Sequence, residues 1–225
     1  MTAIVIATKH GRCLPVLAMS ITYYVPQEIP IYVAGSDIVF PKHRTINLPN
    51  EYGNFGDSYN YVCFEAFKEH EDIIVANDDI VLRPDTWQLL MEDINGLVGT
   101  RDNTGWVASR SDMVRGKQNI RSGDVLSGLK YSSENQLIET QVIAPIFSWI
   151  QKEKWIDFPP INWYGDDIQC FDMVQKGYKH YVSRSYVHHV GHQTVGDNHV
   201  QCHKDAEPWI KKNRPELWKR WFTKD

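Results

Sequence analysis

The chain has 225 residues, of which 42% are hydrophobic and 23% are charged, a composition typical of one folded globular domain and not of a disordered chain. A formal net charge of −4 gives no reason to expect nucleic acid as a partner. No apolar run approaches the ~20 residues that cross a bilayer. Residues 1–7 carry neither the basic flank nor the cleavage site of a signal peptide, so we expect a cytoplasmic protein.

Short apolar segments alternate with segments of helical periodicity in the first half of the chain. Strands are predicted where apolar runs end at turn residues, at residues 4–7, 31–34, 72–76, 80–82 and 106–109. Helices are predicted where apolar residues recur every three or four positions, at residues 14–24, 57–70 and 84–94. This alternation indicates an α/β fold with a mostly parallel central sheet and crossover helices.

The second half of the chain is less regular. Residues 110–136 are polar and contain three glycines, which predicts a long loop. An apolar segment follows at 141–149, then a helix at 168–176 that ends before a glycine, and a strand at 178–187. We expect these segments to complete a single domain that covers residues 1–198.

The final segment, residues 199–225, is rich in aromatic and basic side chains, and Pro208 and Pro215 are expected to act as helix breakers. It contains Trp209, Trp218, Trp221 and Phe222 among Lys211, Lys212, Arg214, Lys219 and Arg220. One interpretation is a helical tail packed on the domain with its apolar face inward. The other is a basic aromatic surface that makes peripheral contact with a membrane or a polyanion.

An acidic turn follows the strand predicted at 72–76. Asn77, Asp78 and Asp79 stand between two apolar runs. In open parallel sheets, ligands bind outside the carboxyl ends of the strands, and two carboxylates there can hold a hard divalent cation. Asn and Asp also form ordinary turns, but paired acids between two apolar runs favour a functional site.

A second acidic pair and a group of histidines occur later in the sequence. Asp166 and Asp167 precede a helix, where one acid could serve as the N-cap and the other could face a cleft as a general base. His188, His189 and His192 lie around the end of the last predicted strand. Alternation along a strand places His188 and His189 on opposite faces. One of these histidines could bind the same metal as the acids, or a phosphate.

These segments together resemble the GT-A glycosyltransferases, in particular the inverting, family-2-like group that includes many bacterial and phage polysaccharide enzymes. Four blocks appear in the order of that family, at residues 4–12, 54–60, 77–79 and 166–189. The resemblance covers roughly residues 3–195. It implies a Rossmann-like GT-A fold, and the host cytoplasm as location if a phage encodes the protein.

The resemblance implies a nucleotide-binding half over residues 1–109 and an acceptor half over 110–198. Most of the expected nucleotide contacts lie in two short motifs of the first half, one at the end of the first strand and one at the start of the second helix. The implied contacts are Ala7, Thr8, Lys9, Arg12, Asp37, Asn54, Gly56, Asn60, Asn77 and Asp78. The second strand ends without the paired acids that the family often has there, so the sequence does not determine which nucleotide base is recognised. UDP is favoured as the nucleotide.

The resemblance also implies metal and catalytic residues. Mn²⁺ or Mg²⁺ would be held by Asp79 as the main contact, with Asp78 or Asn77 assisting and with His189 or, in reserve, His192. Asn77 stands where the family's Asp-x-Asp motif begins with Asp. Asp167 would be the base that takes the acceptor proton, with Asp166 as its neighbour.

The function that these assignments predict is transfer of a sugar, as by a hexosyltransferase, from a nucleoside-diphosphate sugar to a hydroxyl acceptor. The expected mechanism is a single displacement with inversion. One alternative is a metal-dependent hydrolase or nuclease that uses the same acids with the histidines. The other is a non-catalytic carbohydrate-binding protein on a degenerate transferase fold.

Overall fold

The computed structural model describes residues 2–112, 114–122, 130–131, 136–191 and 199–223. The strands are β1 (Thr2–Ala7), β2 (Ile31–Ala34), β3 (Thr45–Leu48), β4 (Asp72–Ala76), β5 (Ile80–Leu82), β6 (Thr104–Arg110), β7 (Arg121–Ser122), β8 (Lys130–Tyr131), β9 (Ile138–Thr140), β10 (Phe147–Gln151) and β11 (Lys179–His189). The helices are α1 (Leu14–Tyr24), α2 (Phe55–Ala66), α3 (Thr86–Gly96), α4 (Gly165–Gln175), α5 (His199–Asn213) and α6 (Pro215–Phe222).

Nine of these strands form one sheet in the described part of the chain, in the order β3-β2-β1-β4-β10-β6-β11-β5, with β9 also paired to β11. Strands β1, β2, β3 and β4 are mutually parallel, and β6 and β11 run in the same direction as these four. Strands β5, β9 and β10 run in the opposite direction. The predicted fold class, a mostly parallel sheet flanked by helices with a C-terminal helical tail, is confirmed.

The central strands are buried on both faces because helices cover both sides of the sheet. Alternate residues of β1 point to opposite faces. Ile4 and Ile6 pack in one apolar cluster with Leu17 of α1, whereas Val5 packs in a second cluster with Val62 of α2. This three-layer arrangement brings the carboxyl ends of β1 and β4 together at one edge of the sheet.

Most predicted elements agree with the structure, but several features differ. β3 and β9 were not predicted, and β7 and β8 lie where a long loop was expected over residues 110–136. β10 lies antiparallel between β4 and β6, a position that its apolar sequence does not reveal. Pro208 lies inside α5, so its prediction as a helix breaker was wrong, whereas Pro215 opens α6. Proline is accommodated in the first turn of a helix because no backbone N–H is needed there.

The C-terminal helices pack against α4. The shared apolar cluster contains Ile161, Ile168, Ala206, Ile210 and Leu217, with Trp209, Trp218, Trp221 and Phe222 partly buried around it. At the junction of α5 and α6, Arg214 donates two hydrogen bonds to the carboxylate of Asp172 on α4, at 2.8 and 2.6 Å. No helix in the described ranges is long and apolar enough to cross a membrane.

Candidate active site

A cavity of about 550 Å³ opens where β1, β4 and β11 end and α4 begins. Nine of the residues singled out in the sequence line it, namely Ala7, Thr8, Lys9, Asn54, Asn77, Asp78, Asp79, Asp166 and His189. They come from segments more than 180 positions apart in the chain. The fold therefore joins the acidic turn, Asp166 of the second acidic pair and one histidine in a single concave site.

The acidic turn forms the floor of this cavity between β4 and β5. Its backbone is fixed by a hydrogen bond from Asn77 N to Ile146 O at 2.9 Å. The hydroxyl of Thr8, just after β1, donates to Asp78. Burial raises the pKa of Asp78, the Thr8 hydrogen bond partly offsets this rise, and the charge of Asp79 adds to it. The carboxyl groups of Asp78 and Asp79 thus lie close together in a confined space, and a bound cation would stabilise their negative charge.

Asp79 and His189 are in direct contact within the lining of the cavity. The distance from Asp79 Oδ1 to His189 Nε2 is 3.1 Å, and the two side chains are only 9% and 14% exposed. Asn77 Nδ2 lies 3.5 Å from the same imidazole nitrogen. The backbone supports this pairing, because Val190 N donates to Asp79 O at 2.9 Å.

His188 and His189 point to opposite faces of β11, as strand alternation predicts. His188 Nδ1 lies 3.0 Å from Asp112 Oδ2, and the His188 side chain is 53% exposed. The other oxygen of Asp112 accepts a hydrogen bond from His189 N at 3.1 Å. Asp112 thus holds the end of the strand, while His189 is the histidine that enters the cavity.

The Asp79–His189 pair offers one carboxylate and one imidazole as ligands for a divalent cation. Carboxylate oxygens suit Mn²⁺ and Mg²⁺, and imidazole is a better ligand for Mn²⁺ than for Mg²⁺. No group of three or more His, Cys, Asp or Glu side chains in the described segments is arranged as a complete metal site. Any ion held by Asp79 and His189 would complete its coordination with oxygen atoms of a bound small molecule and with water.

The second acidic pair lies in the first turn of α4. The N-cap residue of this helix is Tyr164, so the prediction that one of the two acids caps the helix was wrong. Arg115 contacts both carboxylates, with Nη2 2.7 Å from Asp167 Oδ2 and 3.3 Å from Asp166 Oδ2. Asp166 lines the cavity, and Asp167 lies beside it around the helix turn.

Burial of Asp166, reinforced by the neighbouring charge of Asp167 and opposed by Arg115, raises the pKa of Asp166 to about 6. Its side chain is 20% exposed. Asp166 therefore holds a proton more readily in the folded protein than a free aspartate does.

We expect Asp166→Asn to stabilise the fold at neutral pH. The folded-state pKa of about 6 exceeds the ~3.9 of an unfolded Asp, so the folded state binds more protons between these values and stability falls as pH rises through this window. The variant should gain about 1–3 kcal/mol at pH 7.5 and nothing at pH 4. Urea unfolding of both proteins at the two pH values measures this, and an equal or lower stability of the variant at pH 7.5 would contradict it.

The Asn54–Asn60 motif has a clear structural role. Asn54 caps α2 by accepting a hydrogen bond from Asp57 N at 2.8 Å. A Cβ on Gly56 would lie 1.8 Å from the backbone oxygen of Pro159. The Asn60 amide donates to Phe158 O and accepts from Phe158 N, each at 2.8 Å. These residues fix α2 against the segment that leads into α4.

Not every residue singled out in the sequence reaches the cavity. Within the described ranges, Arg12, Asp37, Gly56, Asn60 and Asp167 are absent from its lining. Arg12 and Asp37 are exposed side chains. His192 lies outside the described residues.

Several lining residues were missed in the sequence. Asn50 donates to Thr8 O at 3.2 Å, and Arg115 holds the acid pair. Trp163 and Tyr164 precede the pair, separated from it by Gly165, and Cys202 lines the cavity from α5. Only the adjacency of Trp163 and Tyr164 to the acids was a usable signal, because the others reach the site through contacts distant in sequence.

No protein-family model matches this chain, and no curated protein matches it in sequence. Solved structures do match it. Residues 1–349 of S. aureus TarS in complex with UDP-GlcNAc align with a TM-score of 0.59 at 13% identity, over 83% of this chain and 57% of that one. GalNAc-T7 with UDP, GalNAc and Mn²⁺ aligns with a TM-score of 0.60 at 13% identity, over 84% and 43%.

The fold is GT-A. At 13% identity the match shows the fold alone, and this chain spans only 39–65% of the length of the matched structures. Within the GT-A frame, the cavity lies at the carboxyl edge of the parallel strands, where ligands bind in open α/β sheets.

Proposed function

We propose that this GT-A protein is a nucleotide-sugar glycosyltransferase that moves a sugar from a UDP-sugar to a hydroxyl acceptor. The observation that carries the proposal is that Asp79, His189 and Asp166 line one cavity of about 550 Å³, with Asp167 next to Asp166 in the first turn of α4. The bound molecules in the two matched structures support it, because one contains UDP-GlcNAc and the other contains UDP, GalNAc and Mn²⁺.

The donor diphosphate is proposed to lie over the acidic turn, in the half formed by residues 1–109. Asp79 and His189 would hold a Mn²⁺ or Mg²⁺ ion, assisted by Asp78. When bound, such an ion offsets the negative charge that develops on the leaving diphosphate. Lys9 also lines the cavity, so its ammonium adds positive charge on the same side.

The acceptor is proposed to meet the acid pair in the half formed by residues 110–198. Asp167, with Asp166 beside it, takes the proton of the acceptor hydroxyl as that oxygen bonds to the anomeric carbon and the bond to the diphosphate breaks. This is a single displacement, and it inverts the anomeric configuration. Arg115 keeps the two carboxylates together, so the acceptor finds the base already oriented.

Thermal-shift measurements with a panel of nucleoside diphosphates, with and without Mn²⁺, test the donor side of this proposal. At 100 times its Kd a ligand stabilises a protein by about 2.7 kcal/mol, which for a domain of this size raises Tm by roughly 5–11 °C. We expect such a shift with UDP only when Mn²⁺ is present. Equal shifts for all nucleotides, or none, would contradict the proposal.

A further inference from the structure

Tyr164 has an unusual backbone conformation at the start of α4. Its φ of 68° and ψ of 3° place it in the left-handed region, which residues with a Cβ rarely occupy. Tyr164 O accepts a hydrogen bond from Ile168 N at 3.0 Å, so this residue begins the helix. The acids follow two and three positions later, and their direction therefore depends on this left-handed turn.

The side chain of Tyr164 is held by the C-terminal helices. Its hydroxyl forms a 2.8 Å hydrogen bond with Nδ1 of His203 on α5. Its ring stacks on Trp221 of α6, with centroids 5.4 Å apart and planes at 15°, and meets the edge of Phe222 at 5.5 Å. The His203 ring also packs on Trp163 at 5.1 Å. Strained backbone persists where its surroundings over-determine it, and these contacts supply that support.

Two aromatic rings of the tail pack on the domain, because Trp221 and Phe222 contact Tyr164. Trp218 instead ties the two tail helices together, since it donates its indole N–H to Glu207 of α5 at 3.1 Å. The tail also approaches the cavity, because Cys202 lines it one position before His203. Tyr164 thus links α5 and α6 to the turn that carries Asp166 and Asp167.

We propose that the C-terminal helices orient the acid pair through Tyr164, with His203 as the positioning residue. This inference rests on the proposed function, since its consequence is an effect on transfer. The tail is then part of the catalytic unit, and loss of its contact with Tyr164 misplaces the base without altering the donor side of the cavity. A misplacement of about 1 Å can cost on the order of 10²-fold in rate.

The test compares four variants of the full chain. His203→Ala and Tyr164→Phe each remove the hydrogen bond. His203→Asn keeps an amide near the position of Nδ1 and should restore it. Asp172→Asn is the matched control, because it weakens the Arg214 pair that also ties the tail to α4 but does not contact Tyr164. The readouts are kcat, the donor KM, and amide hydrogen exchange of a peptide covering the first turn of α4.

We expect His203→Ala and Tyr164→Phe to lower kcat by about 10–100-fold with the donor KM changed less than about 2-fold. His203→Asn should recover most of kcat, and Asp172→Asn should lower stability with kcat unchanged. Exchange in the first turn of α4 should accelerate in the first two variants only. Wild-type kcat and exchange in His203→Ala, or an equal kcat loss in Asp172→Asn, would overturn the inference.

The exchange measurement separates the two proposals. If the wild-type chain transfers no sugar but exchange accelerates as expected, the proposed function fails and the positioning role of the tail stands. If the wild-type chain transfers sugar and exchange is the same in all variants, the positioning role fails alone. Tyr164→Phe covers the case in which His203→Ala does not fold, because phenylalanine keeps the ring packing.

Discussion

Asp167→Asn should reduce the rate of sugar transfer by about 10²–10⁴-fold, the range that general-base catalysis contributes. Asparagine keeps the shape of the side chain and can still accept a hydrogen bond from Arg115, but it cannot take a proton. Binding of UDP with Mn²⁺ should persist, because Asp79 and His189 are untouched. Initial rates and a UDP thermal shift, measured on the same preparations, check both parts.

Two further aspartates on α4 serve as comparisons for this variant. Asp172 pairs with Arg214, away from the cavity, so Asp172→Asn should keep its transfer rate. Asp166→Asn should lose less activity than Asp167→Asn although it is the more stable protein at neutral pH. Full transfer by Asp167→Asn would refute its role as the base, and a larger loss in Asp166→Asn would move that role to Asp166, which lines the cavity.

Asp79→Asn should lower kcat/KM for the donor by about 10²-fold or more and raise the Mn²⁺ concentration needed for half-maximal rate. The physical reason is that a neutral amide is a weaker ligand for a hard cation than a carboxylate, and the charge on the departing diphosphate then lacks compensation. His189→Ala should have an effect of the same kind and of at least about 10–100-fold, the loss that removal of even a supporting residue behind the ligands causes at a metal site. Titration of Mn²⁺ at saturating donor measures the change.

His188→Ala is the matched control for the metal site. His188 is the neighbouring residue on the same strand but faces Asp112 on the other side, and it is largely exposed. Its removal should change kcat/KM by less than about 3-fold, as expected for surface positions away from a site. Equal losses in His188→Ala and His189→Ala, or an unchanged Mn²⁺ response in Asp79→Asn, would contradict the assignment of the metal ligands.

The parts of the fold that the sequence predicts well are those specified by local patterns. Strands β1, β2 and β4 are continuous apolar runs between polar turns, and α1 has helical spacing, so the predicted bounds of β2, β4 and α1 match the structure and those of β1 differ by two residues at its start. The insertion of β10 between β4 and β6 could not be predicted, because an apolar strand carries no local information on its direction or neighbours. β3 could not be predicted for the same reason, because its sequence carries too little local information.

The residues of the candidate site also divide into those that local motifs indicate and those that only tertiary contacts place there. Asp79 and Asp166 stand in short motifs next to predicted elements, which made them visible. Arg115 contacts Asp167 across 52 positions and His203 contacts Tyr164 across 39, and such contacts arise only from the tertiary fold. The Asn54–Asn60 motif was recognised, but the hydrogen bonds of Asn60 to Phe158 give it a packing role that a motif alone does not reveal.

The most direct test of the central proposal is product analysis with a panel of UDP-sugars, Mn²⁺ and simple hydroxyl acceptors, followed by mass spectrometry. We expect release of UDP together with an acceptor heavier by one sugar residue. Both products should depend on Mn²⁺ and be lost in Asp167→Asn. Cleavage of a phosphodiester or ester without any donor sugar, or carbohydrate binding with no turnover of any UDP-sugar, would contradict it.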